Sequence, residues 1–79
     1  MCREEVFDRL TDIFRVVFDD EEIVLNDGTT ADDIEDWDSL EQINLVVACE
    51  KEFKIKFEMG EIQKLKNVGE MVDTICQKL

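Results

Sequence analysis

The chain is 79 residues long, 44% hydrophobic and 38% charged, with 21 acidic residues against 9 basic ones and a net charge of −12 at pH 7. A chain of this size buries only about 60% of the surface that its unfolded form exposes, so residues 1–79 read as one small domain, too apolar for a disordered acidic tail. Histidine is absent, which removes serine–histidine triads, histidine-activated thiols and ordinary zinc sites, and no apolar run approaches the length of a membrane span.

The opening Met1-Cys2-Arg3-Glu4-Glu5 lacks the hydrophobic core of a signal peptide, so the expected location is the cytoplasm. Met1 reads as a genuine start, which favours a free-standing protein over a fragment of a synthase. Three cysteines, Cys2, Cys49 and Cys76, are odd in number and widely spaced, a pattern of reducing compartments; Cys49 and Cys76 read as small packing residues. Val6, Phe7, Leu10, Ile13, Phe14 and Val17 recur at three-and-four spacing and predict a first amphipathic helix over residues 3–17. It should stop at Asp19-Asp20-Glu21-Glu22, where four more negative charges would oppose the helix dipole.

Residues 19–37 read as a long ordered loop, with Asn26-Asp27-Gly28 as a turn and Ile23, Leu25, Ile34 and Trp37 as apolar anchors. The loop belongs to a wider acidic stretch. Between residues 16 and 50 there are twelve acidic residues and no lysine or arginine. That disfavours nucleic-acid binding, which depends on cations. It suits either a partner with a basic docking patch or a solvated surface kept soluble by repulsion. A calcium-binding loop fails on spacing: with Gly28 at the sixth position of an EF-hand loop, Ile23, Leu25 and Ile34 fall where oxygen ligands are needed.

A second helix is predicted over residues 39–53. Asp38 is its N-cap and Glu41 completes a capping-box pattern, which puts Ser39 at the first helical position with its side chain clear of the helix interior. The apolar residues Leu40, Ile43, Leu45, Val46, Val47, Ala48, Cys49 and Phe53 wrap around more than one stripe, as in a central helix with several neighbours. Residues 54–57 read as a loop with Ile55 and Phe57 pointing inward. A short third helix follows at about residues 60–65, carrying Ile62 and Leu65. Asn67 then caps a last helix with a stripe of Val68, Met71, Val72, Ile75 and Leu79. The expected fold is all-α: a small four-helix bundle, three longer helices and a short third one, with the long loop between helices one and two.

Asp36-Trp37-Asp38-Ser39-Leu40-Glu41, followed by Ile43-Asn44-Leu45-Val46-Val47, Glu50-Lys51-Glu52-Phe53 and Asn67-Val68-Gly69-Glu70-Met71-Val72, resembles the acyl carrier protein family over most of the chain. The resemblance implies that a phosphopantetheinyl transferase attaches 4′-phosphopantetheine from coenzyme A to Ser39, flanked by Asp38 and Leu40. Acyl groups are then carried as thioesters for enzymes of fatty acid, polyketide or related lipid biosynthesis. It implies docking through Glu41, Ile43, Val47 and Glu50 on helix two. Leu45, Val46, Phe53, Ile62, Leu65 and Val68 become candidates for lining an acyl pocket, although each also reads as ordinary core. The implied partners are the transferase, an acyl-loading ligase or transferase, and synthase or acyltransferase enzymes with basic docking patches, acting on a monomer.

Gln42, Asn44, Lys51 and Phe57-Glu58-Met59 depart from the carriers of the principal fatty acid synthase, and Trp37 resembles carriers of accessory pathways. The alternatives are an aminoacyl or peptidyl carrier using the same serine, or, from another class, an acidic docking module or a calcium-binding protein. No catalytic residue and no metal site is expected, for no activated nucleophile, histidine base or phosphate-binding glycine loop is present.

Overall fold

The computed structural model describes residues 2–34 and 37–79; Met1, Glu35 and Asp36, the last of which opens the motif quoted above, lie outside the described residues. Four helices follow one another: α1 (Arg3–Val17), α2 (Ser39–Phe53), α3 (Met59–Gln63) and α4 (Val68–Lys78). Among the described residues there is no strand, so the all-α reading holds.

The apolar spacing of α1 buries Val6, Leu10 and Phe14, with Phe7, Ile13 and Val17 packed at the edge of the same core. The helix ends as the chain turns into the acid cluster: Asp20 N–H donates to Arg15 O at 3.0 Å, and Asp19 adopts φ 50°, in the left-handed region. In α2 the buried residues are Leu45, Val46, Cys49 and Phe53. Burial first, and then the charges of Glu50 and Glu52, push the Cys49 thiol up to about 12, leaving it a packing group and not a nucleophile. Helix α2 ends at Lys54, also left-handed, and Ile55 N–H reaches back to Glu50 O at 3.2 Å. This is the backbone closure that commonly terminates helices, and it turns Ile55 into the core.

Helix α3 lies slightly earlier than residues 60–65. Glu58 N–H donates to the Glu61 side chain at 2.9 Å, which starts the helix at Met59, and the chain leaves it at Lys64. Leu65 is buried from the following connection, not from the helix itself.

The loop between α1 and α2 is ordered by its backbone as much as by its apolar anchors. Asn26 Oδ1 accepts from Gly28 N–H at 2.9 Å, and Thr29 N–H closes the turn onto Asn26 O at 3.1 Å. Thr29 is buried. The loop also caps α4: Val68 N–H donates to Thr29 O at 2.9 Å and Gly69 N–H to Asp27 O at 3.1 Å. Glu70 N–H donates to Asn67 Oδ1 at 2.8 Å. The first three N–H groups of α4, which no helical carbonyl can reach, are all satisfied this way. Arg3 completes the clamp, binding Asp27 from the loop and Asp73 from α4 at once.

Candidate functional site

Asp38 has extended backbone, and its Oδ1 accepts from Glu41 N–H at 2.9 Å. The predicted N-cap is thus formed, but the reciprocal half of the capping box is not, because Glu41 Oε1 accepts from Asn44 Nδ2 at 3.1 Å. Ser39 is the first residue of α2 and its side chain is exposed. Among the described residues, the N–H groups of Ser39 and Leu40 have no acceptor. Together with the helix dipole they favour a negative group at this point.

Trp37 fixes the approach to that serine. It is only 7% exposed. Its ring stands edge-on to Phe14, with centroids 5.2 Å apart, and its Nε1–H donates to Gln42 Oε1 at 2.7 Å. Trp37, Asp38, Ser39, Gln42, Leu65 and Lys66 line an open cleft of about 290 Å³. Among the described residues, Lys66 is its one cationic lining residue. Sequence reasoning took Trp37 as an anchor but did not place Gln42 or Lys66 in the site. The partner of an indole N–H and a lysine 27 positions beyond Ser39 carry no local signal.

The expected docking residues lie on one helix with different degrees of freedom. Leu40, Ile43 and Val47 are 66%, 56% and 43% exposed; their i, i+3, i+7 spacing makes an apolar stripe that begins beside Ser39. Glu41 and Glu50 are half-buried, and Glu50 Oε2 also accepts from Phe57 N–H at 2.9 Å, holding the α2–α3 connection. The six acyl-pocket candidates share one core. Leu45, Val46, Phe53, Leu65 and Val68 belong to the buried core and Ile62 packs at its edge, while Leu65 alone of them reaches the cleft beside Ser39.

The sequence model of the phosphopantetheine attachment site matches residues 8–75. The chain belongs to this family, that of the acyl carrier proteins. It is 35% identical to the acyl carrier protein of Petrotoga mobilis over 100% of this chain and 93% of that protein. Identity to the acyl carrier protein of Thermotoga maritima is 33%, over 98% and 95%. The solution structure of holo acyl carrier protein from Geobacter metallireducens superposes with a TM-score of 0.87 at 55% identity, covering 92% of this chain and 84% of that one.

The residues around Ser39 fit the prosthetic group that defines the family. A phosphodiester needs an accessible hydroxyl and a setting tolerant of negative charge, and the arm needs open space beside it. An exposed hydroxyl, helix N–H groups with no acceptor among the described residues and an adjoining cleft with a lysine meet those needs.

Proposed function

We propose that Ser39 bears the 4′-phosphopantetheine of this acyl carrier. The exposed hydroxyl at the first position of α2 carries that reading. Ser39 Oγ forms a bond to the phosphorus of coenzyme A that carries pantetheine. The pyrophosphate bond breaks, the nucleotide half leaves, and the hydroxyl proton passes to a base of the phosphopantetheinyl transferase. Asp38 caps α2 and so holds the serine at the helix terminus. The Ser39 and Leu40 N–H groups favour the phosphodiester charge, and Lys66 lines the same cleft. The bound group supplies a flexible arm whose thiol holds an acid as a thioester.

The rest of the chain is a non-catalytic handle. Ile43 and Val47, with Leu40 beside Ser39, offer apolar contact, while Glu41, Glu50 and the acidic loop attract basic patches on visiting enzymes. Charge of this kind speeds encounter and selects partners more than it tightens them. The visitors are the transferase, an acyl-loading ligase or transferase, and synthases or acyltransferases of fatty acid, polyketide or related lipid biosynthesis, met in the cytoplasm by a monomeric carrier domain. Among the described residues, no helix is long and apolar enough to cross a membrane.

Intact mass after incubation with coenzyme A and a permissive transferase tests the assignment. The expected result is one phosphopantetheine added, mapped to the peptide containing Ser39, and none added to Ser39→Ala. As an exposed surface change, that substitution should cost no more than about 0.5 kcal/mol of stability. No gain in mass, or modification of another residue, rejects the proposal.

A further inference from the structure

The floor of the cleft beside Ser39 is closed. Its two buried apolar lining residues, Trp37 and Leu65, are both members of the core. Trp37 is held at both ends, by Gln42 on the cleft side and by the ring of Phe14 in the interior. Leu45 and Val68, members of the same core, are fully buried. The lining of the cleft beside Ser39 includes neither Leu45, Val46, Phe53 nor Val68. An acyl chain entering the bundle from Ser39 would have to displace the indole, break its hydrogen bond and part a closed core.

We propose that Trp37 is a cargo-specificity residue: it shuts the interior, so that a short acyl chain stays outside the bundle, against Trp37, Gln42, Leu65 and Lys66. This inference rests on attachment at Ser39. The polar rim of Asp38, Gln42 and Lys66 suits a chain bearing a hydroxyl better than a plain hydrocarbon of the same length, because a hydroxyl there finds a partner.

The test compares the acetyl-loaded and hexanoyl-loaded carrier after intact mass has verified the thioester. Hexanoyl should shift the Leu65 methyl and Trp37 indole N–H resonances, leave the Leu45, Val46 and Val68 methyls where acetyl leaves them, and leave Tm unchanged. In Trp37→Ala, with the floor opened, hexanoyl should move those core methyls and raise Tm above that of the acetyl form. The wild-type comparison decides the matter alone if the variant does not fold. Core methyl shifts with a raised Tm in the wild-type hexanoyl form overturn this inference and leave Ser39 attachment standing, whereas absence of a mass gain at Ser39 removes both.

Discussion

Arg3 joins three parts of the molecule through one guanidinium. Its Nε donates to Asp73 on α4 at 3.1 Å, its terminal nitrogens bind Asp27 in the loop, and it lies over the Phe7 ring, 5.1 Å from the centroid. The hydrogen bond from Arg3 is the main cause that holds the Asp27 carboxyl below its ordinary value of 3.8, against a smaller opposing effect of desolvation. Because the folded-state pKa is the lower one, the pair's contribution to stability is complete above pH 3.8 and disappears as pH falls through the depressed value. Arg3→Gln should bring the Asp27 titration back up towards 3.8, as read by carboxyl-carbon NMR. The Tm difference between wild type and variant should close under acid. An Asp27 midpoint identical in the two proteins would refute the coupling. Trp37 is decisive at the same scale. Removing a buried indole from its seat costs on the order of 3–5 kcal/mol. A hexanoyl tail regains about 0.8 kcal/mol per buried methylene, which at best matches that cost before the core behind it has been opened.

Among the elements, the loop between α1 and α2 and the start of α4 act as one unit, with Gly69 at the point of contact. A Cβ at that position would lie 2.9 Å from both Asp27 O and Asp27 Oδ1, and the backbone carbonyl cannot move aside without releasing Gly69 N–H. Gly69→Ala should therefore destabilise the fold by about 1–3 kcal/mol, the usual cost of overpacking, despite the better helix propensity of alanine. Chemical denaturation measures it; an unchanged or raised midpoint would show that the contact is soft. Much of this architecture could be read from residues. The apolar spacing together with Asp38 and Asn67 as caps placed α1, α2 and the start of α4, and Ile23 and Trp37 proved to be loop anchors. The capping of α4 by Thr29 and Asp27 carbonyls could not be read, because backbone acceptors have no side-chain signature. The third helix was shifted for a similar reason: Glu58 and Glu61 pair across its first turn, a contact that competes invisibly with apolar spacing. At the site, Asp38 and Ser39 were legible because a cap is a local motif. The Trp37–Gln42 bond and Lys66 depend on how distant segments meet.

At the scale of the whole molecule the charge is the dominant property. The chain has 21 acidic and 9 basic residues in a body whose principal extents are 28 × 25 × 22 Å. Electrostatic screening reaches about 30 Å at 0.01 M salt and about 10 Å at 0.1 M. In dilute buffer, then, every carboxylate feels the others across the full width of the protein. Two effects of salt compete. Screening weakens exposed ion pairs such as Arg3–Asp27, Arg9–Glu52 and Arg3–Asp73, which contribute little in water. It also relieves the mutual repulsion of a net charge of −12, most concentrated in residues 19–41, where no basic residue intervenes. The repulsion involves many pairs and the attraction few, so relief should win. Tm is expected to rise as sodium chloride increases from low to moderate concentration and then level off once the screening length is shorter than the spacing between neighbouring carboxylates. Thermal unfolding followed by circular dichroism across a salt series at pH 7 checks this. A Tm that falls with salt would mean that the few ion pairs govern stability and that the acidic surface is not under strain. In that case its docking role would have to be argued without the electrostatic cost it imposes on the fold.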